Sequence, residues 1–391
     1  MSTIKVNKIE NTATTDGGVA IDATGHVTVD GVQLPTAGAL SNRNLIINGA
    51  MQVAQRGTSS TDTGYRTVDR ISHFNGGTNE NPTYAQADVA SGTTPYTLGF
   101  RKSFKITNGN QTGGADAGDY IHFVYKVEAQ DLANSGWNYA SSSSFITLSF
   151  WVKSSVSQNF YGYLLTSDGS TRSFAFETGS LTANTWTKVT VVVPGNSNLT
   201  FNNDTGNGLE IDFSAFRGTN FTGAAGTVGS WVSFTSSQRH PDCTSTWYTT
   251  NDATFEVTGV QLEVGEKATP FEHRSFGDEL ARCQRYFCKS FNYTTAPANG
   301  ITGDGEHQIQ LVASGDPQIV VYWPVQMRAD PTVSLYNPRS GGASGQWSTN
   351  LSDSSNTRSF SQTPVKTIID NTDNSLSATY WRIAWSASAE L

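Results

Sequence analysis

The chain has 391 residues, enough for two or three domains, and carries a net charge of −8 with only 15% charged residues, where roughly 25% is usual for soluble domains. Ser, Thr, Asn and Gly fill the difference and aromatics reach 11%, a mixture that suits short strands and tight turns and suits helical bundles poorly. No stretch gathers the basic stripe that phosphate neutralisation needs, which speaks against nucleic acid as a partner, and no run approaches the ~20 apolar residues that span a bilayer, which speaks against membrane insertion.

The first ten residues, MSTIKVNKIE, lack the apolar region of a signal peptide, so synthesis in a cytosol is expected. Residues 1–40 are poor in charge and carry alternating apolar pairs (Ile4 and Val6, Val19 and Ile21, Val27 and Val29, Val32 and Leu34) punctuated by Gly17, Gly18, Gly25 and Gly31. This reads as short strands with turns, in a segment too small to bury a core by itself. One reading is an attachment or intertwining segment ordered by identical neighbours or a partner protein; the other is a disordered tail.

Residues 41–273 read as one large antiparallel domain. Strands are predicted over Phe145–Val152, Phe160–Leu165, Trp186–Val193, Leu209–Phe213, Trp231–Phe234 and Phe255–Val264, each alternating and each separated by Gly, Asn or Ser turns. Period-two runs at this spacing argue for a sandwich or jelly roll. One helix is predicted over 275–289, within a connecting segment 274–290. Ser275 caps it, Asp278 and Glu279 load its first turn, and Phe276, Leu280, Cys283 and Phe287 form its apolar stripe. A lone amphipathic helix must pack on a domain or on its own copies about an axis, and the threefold-axis arrangement is the one expected. Residues 291–391 return to β character as a small C-terminal domain. Its strands are predicted at Ile309–Val312, Ile319–Val325, Thr332–Leu335 and Tyr380–Trp385, with a long loop over 340–355. Three cysteines, Cys243, Cys283 and Cys288, give no disulfide framework and are expected as free thiols.

Asn44–Gly57 (NLIINGAMQVAQRG), Asp69-Arg70, LSFWVKSS at 148–155, TWTKVTVVVPG at 185–195 and the run VTGVQLEVGEKATPFEHRSFGDELARCQRYF at 257–287 follow one another in an order that resembles the carbohydrate-binding-module-like jelly rolls of phage tail fibres. MRADPTVSLYN at 327–337 resembles a strand of the C-terminal fibre domain, and the N-terminal STIKVNKIE is similar to N-terminal segments of phage tail proteins. The resemblance covers most of the chain. It implies an all-β, jelly-roll β-sandwich in a homotrimeric virion protein that contacts a host-surface glycan or protein and joins other phage tail proteins through residues 1–40. It departs from the family where Asp-Arg-Trp is common: here Ile71 follows Arg70, so an aromatic of the expected core is missing.

Sugar recognition stacks aromatic faces on pyranose C–H surfaces while polar side chains bond the hydroxyls. The candidates are Trp137 and Tyr139 in SGWNYASSSS, Tyr161 and Tyr163 on one strand face, and Trp247 and Tyr248 in STWYTTND; the alternative for each is packing at the sandwich edge or at a subunit contact. The six histidines show no paired ligand spacing. No cofactor is expected. The family's modules often hold a structural Ca²⁺ near the first and last strands, where Asn48 and Glu263 offer oxygen donors. There is no G-x-S-x-G elbow, H-E-x-x-H or P-loop, and no long parallel β-helix repeat, so no enzymatic activity is expected. The reading is therefore a homotrimeric tail-fibre subunit, virion-located and host-contacting. A purely architectural virion protein and a bacterial glycan-binding or hydrolytic protein are the alternatives.

Overall fold

The computed structural model describes residues 8–9, 18–21, 27–29, 32–33, 42–310, 317–339, 341–350, 352–354, 357–371 and 380–391. Near the N-terminus, β1 (Lys8–Ile9), β2 (Val19–Ile21), β3 (Val27–Val29) and β4 (Val32–Gln33) form a four-stranded antiparallel sheet in sequential order. Ile4, Val6 and Leu34, expected in these strands, lie outside the described residues.

The period-two runs build a sandwich. In chain order its elements are β5 (Ser59–Ser60), β6 (Ile71–Gly76), β7 (Thr83–Asp88), α1 (Thr94–Thr97), β8 (Lys102–Thr107), β9 (Tyr120–Glu128), α2 (Ala129–Ala133), β10 (Phe145–Ser154), β11 (Asn159–Thr166), β12 (Arg172–Ser180), β13 (Thr187–Pro194), β14 (Asn207–Arg217), β15 (Trp231–Ser233), α3 (Thr246–Thr249) and β16 (Thr254–Val264). One sheet runs β13-β10-β16-β8-β7-β5, the other β15-β12-β11-β14-β9-β6. The inward positions of both make one core, in which Phe123 stacks on Phe213 at 4.8 Å and Phe150 meets Phe213 edge-on at 5.0 Å. This is the all-β jelly-roll sandwich expected from the sequence.

The segment resembling an opening strand, 44–57, is irregular. Two asparagine side chains hold it. Asn44 Oδ1 accepts from the Ile46 and Leu262 amides, at 3.0 Å each, while Asn48, at φ 62°, bonds Val53 and Asp69 backbone groups. Opposite it, the register of β16 against β10 slips between Ser149 and Trp151. Gly259 sits at this bulge with φ 63°, and a Cβ there would lie 2.7 Å from the Phe100 ring. The bulge turns the Val260 amide to the Gly49 carbonyl, 2.9 Å away.

The helix, α4 (Phe276–Gln284), is shorter than expected, and Cys288 lies in the following strand β17 (Phe287–Lys289) rather than on the helix. Ser275 caps α4 through the Asp278 amide. Its buried residues are Glu279, which accepts from the Asn48 amide at 2.6 Å, and Cys283, whereas Phe276 is exposed. The helix packs on its own chain through Glu279 and Cys283, and Phe276 of the expected stripe stays at the surface. All three cysteines are free, as expected.

Beyond α4, β18 (His307–Gln310), β19 (Gln318–Tyr322), β20 (Thr332–Tyr336), β21 (Trp347–Thr349), β22 (Asp353–Ser354), β23 (Thr357–Phe360), β24 (Lys366–Asn371) and β25 (Tyr380–Ser388) enclose a second core. β25 pairs with β17, β18, β20 and β21. The expected long loop 340–355 instead contains β21 and β22, because Trp347, fully buried, donates to the Asp370 carbonyl at 3.2 Å and anchors the segment.

The two cores are joined at Arg70, fully buried at φ 73°. Its guanidinium lies 3.4 Å from the Tyr286 ring, pairs with Glu390 and donates to the Lys126 carbonyl at 2.7 Å. Arg56 stacks on Phe287 at 3.7 Å and reaches Glu390 at 3.1 Å. Thus Arg70, buried with Tyr286 over it, directly precedes Ile71, where the sequence resemblance implies a tryptophan.

Candidate functional site

Strand alternation sends Leu209, Ile211 and Phe213 of β14 into the core and leaves Glu210, Asp212 and Ser214 on the outer face of the β6–β9–β14–β11 sheet. Register then sets the rows. Tyr161 opposes Ser214, which opposes His122, which opposes Phe74; Leu165, Glu210 and Lys126 form a second row. The loop 218–242 folds over one end. The result is a groove of about 400 Å³ whose lining includes Phe74, Tyr120, Phe221 and Phe234 as aromatic walls, with Tyr163 in its floor. Tyr120 meets Phe221 edge-on at 5.5 Å, and Tyr163 and Phe234 lie 6.4 Å apart.

The floor is a charged network. Asp212, completely buried, accepts from Arg217 Nη2 at 2.6 Å and from Ser214 Oγ at 2.7 Å, and lies 2.6 Å from His122 Nδ1. Burial pushes this carboxyl upward, yet the Arg217 guanidinium and His122 outweigh it and hold the group well below the usual carboxylate range. Burial, with Arg217 adding to it, lowers His122 to about 4 against the pull of Asp212. The neutral ring, its Nδ1 proton drawn to Asp212, keeps Nε2 as an acceptor. Arg217 donates its Nε to Ser214 at 3.0 Å. Burial and the neighbouring Asp212 charge raise Glu210, whose closest cation, Lys126, is 3.9 Å away. A fixed guanidinium beside an imidazole acceptor, walled by aromatic rings, is an arrangement that bonds hydroxyls and covers sugar faces.

Of the six aromatics singled out from the sequence, only Tyr163 lines this groove, and it is a floor residue at 3% exposure. Tyr161 lies beside it, half-buried and stacked on His240 at 5.4 Å. Tyr139 is half-buried, edge-on to Phe201 at 5.0 Å. Trp137, Trp247 and Tyr248 correct the expectation of sugar-stacking loop aromatics: all are core. Trp247 donates Nε1 to the Thr254 carbonyl at 3.0 Å, Trp137 donates to the Ser144 carbonyl at 3.3 Å, and Tyr248 stacks on Phe216 at 4.3 Å. Their polar sequence neighbours are the caps over the end of the sandwich, and a ring with no exposed face cannot meet a pyranose. The groove residues missed in the sequence were visible as alternation: Tyr120, His122 and Lys126 in YIHFVYKVE, and Glu210, Asp212 and Ser214 in GLEIDFSAF.

The two calcium candidates are also committed elsewhere. Glu263 accepts from Gln261, from both the amide and hydroxyl of Thr269, and pairs with Arg43 at 3.4 Å, while the Asn48 carbonyl oxygen accepts from Val53. Among the described residues no group of three or more His, Cys, Asp and Glu is placed to hold a metal, and no helix is long and apolar enough to cross a membrane.

No family model matches the chain, and no curated protein matches it in sequence. Among solved structures it is similar to the enzymatically active domain of bacteriophage CBA120 tailspike protein 4, with 12% identity and TM-score 0.31 over 57% of this chain and 21% of that one. It is also similar to the CBM22-1 xylan-binding domain from Paenibacillus barcinonensis Xyn10C (11% identity, TM-score 0.27, 60% of this chain and 100% of that one). A family 11 carbohydrate-binding module from Clostridium thermocellum, in complex with a β-1,3-1,4-mixed-linked tetrasaccharide, matches at 12% identity and TM-score 0.24, over 56% of this chain and 99% of that one. The chain thus spans about a fifth of the tailspike domain. Its two antiparallel sheets define a β-sandwich.

Proposed function

We propose that the chain is a glycan-binding subunit of a phage tail, homotrimeric, with residues 1–40 joining other tail proteins and the sandwich groove meeting host-surface sugar. The observation that carries the binding half is the outer-face groove, where Arg217 and His122 are fixed by the buried Asp212 between aromatic walls. The tail-fibre half draws on the ordered sequence resemblance from Asn44 to Phe287. In this reading the groove binds and does not cleave. Hydrolysis of a glycosidic bond needs two carboxyls roughly 5–10 Å apart facing the sugar, and Glu210 is the one carboxylate among the groove's lining residues, Asp212 lying sealed beneath. Weak sugar contacts repeated three times per fibre would sum to strong attachment.

The test is a bacterial-glycan array probed with labelled protein, alongside Tyr120→Ala and Phe234→Ala. Each substitution removes one wall and is expected to weaken retention about tenfold or more while the fold persists. A protein retained by no glycan refutes the binding half. Sedimentation showing a monomer at micromolar concentration refutes the trimer.

A further inference from the structure

The groove holds three cations, Lys126, Arg217 and Arg239, and their situations differ. Arg217 is spent on Asp212. Lys126 lies within 3.9 Å of Glu210 and donates to the Leu391 carbonyl at 3.1 Å. Arg239 pairs with no carboxylate among the described residues. Its guanidinium lies 5.1 Å from the Phe221 ring centre and 5.7 Å from that of Phe234, its Nη1 donates to the Ser236 carbonyl, and its Nε is buried without a hydrogen-bond partner. Counting charges at neutral pH, Arg217 cancels Asp212 and Lys126 offsets Glu210, so one positive charge remains, and it belongs to Arg239. It stands out on a chain whose net charge is −8.

Two aromatic rings flank this planar fork at the groove's rim. A guanidinium so placed is partly desolvated, and with Nη1 on the Ser236 carbonyl and Nε buried it keeps Nη2 to donate to a carboxylate or sulfate. A neutral sugar would leave the charge uncompensated, whereas an acidic one would compensate it and form charge-assisted hydrogen bonds.

We propose that the glycan taken by this groove is acidic, a uronate-, sialate- or sulfate-bearing polysaccharide whose anionic group seats on Arg239 between Phe221 and Phe234. The inference rests on the glycan-binding reading of the same groove and adds the ligand's chemical class.

The test is an array of paired oligosaccharides, oligouronates and oligosialates beside their carboxyl-reduced forms, and sulfated oligosaccharides beside their desulfated forms. Wild-type protein is expected to prefer the acidic member of a pair by about tenfold or more, and raising NaCl from low to high is expected to erase that preference. Arg239→Gln is expected to lower affinity for the acidic member to that of its neutral partner, with the melting temperature unchanged. Equal binding of acidic and neutral members overturns the proposal and leaves the glycan-binding reading standing. Retention of neither member of any pair overturns both. Should Arg239→Gln fail to fold, the wild-type preference and its salt dependence decide the question unaided.

Discussion

Replacing Asp212 with asparagine keeps the shape of the groove floor and deletes its charge. In the native chain Asp212 is fully buried, and Arg217, with 4% of its side chain exposed, leans on it at 2.6 Å. The Asp212→Asn substitution would leave a buried guanidinium facing a neutral amide. Removing one partner of a buried pair costs about 3–5 kcal/mol, most of it the stranded charge, which corresponds to a fall in melting temperature of roughly 6–20 °C for a unit of this size. Calorimetry of both proteins at pH 7 measures it. The pH dependence adds a second constraint. The folded Asp212 carboxyl sits well below the ordinary carboxylate range because Arg217 and His122 outweigh the effect of burial. Its contribution is therefore complete above the unfolded value of about 3.9 and declines as pH falls toward the folded one. The gap between native and Asp212→Asn proteins should narrow by about 1 kcal/mol on going from pH 7 to about pH 3. A cost below about 1 kcal/mol at pH 7, or a gap indifferent to pH, would refute the picture of an ionised carboxylate organising the groove. The double variant Asp212→Asn with Arg217→Met should recover much of the loss, since no buried charge is then stranded.

Two further outcomes follow from burial. His73, stacked on Tyr84 at 3.9 Å, and His240 are both held near 4, chiefly because burial disfavours the charged ring. The unfolded chain therefore binds more protons between about pH 6.5 and pH 4, and stability falls with pH across that window by up to about 3 kcal/mol per histidine; urea titrations in which His73→Gln or His240→Gln leave the slope unchanged would contradict this. Trp247→Ala should cost about 3–5 kcal/mol by emptying a core position while the protein still folded keeps its glycan affinity; a stable variant with lost binding would return Trp247 to the sugar-contacting role its sequence surroundings suggest.

The sandwich was legible because its strands alternate. LSFWV, WTKVTVVV and FEVTGVQLEV each place one face in the core, and the observed strands begin or end within a few residues of the expected bounds. β6, β7, β8, β9 and β12 were not among the expected strands. ISHFNG sets His73 beside Ile71 on its inward face, so that face does not look apolar. The helix stops at Gln284, with Arg285 as its C-cap, and there Arg285 and Tyr286 bond Glu128, at 2.8 Å from Arg285 Nη2, a contact 157 residues away that no local pattern encodes. The groove was half visible. Its strand positions were written in the alternation of β9 and β14, but Phe221, Phe234 and Arg239 come from an irregular loop, and only tertiary folding lays that loop over the sheet. Tryptophans in polar stretches misled for a related reason: the caps that bury Trp137 and Trp247 are built from Ser, Thr and Asn side chains and backbone carbonyls.

Both halves of the molecule are closed by a strand that comes late in their sequence. β16 is inserted between β10 and β8, at the middle of its sheet, and β25 is the shared partner of β17, β18, β20 and β21. At about 5–20 residues per second of synthesis, β17 leaves the ribosome roughly 5–20 seconds before β25 can pair with it. During that interval the sandwich core, complete once β16 has emerged, can already be shut, while β18, β20 and β21 wait without their shared partner. Pairings this distant in sequence form slowly. The second half should therefore fold in a separate, later step on a sandwich already in place, with Arg70 and Tyr286 as the prepared surface that receives it.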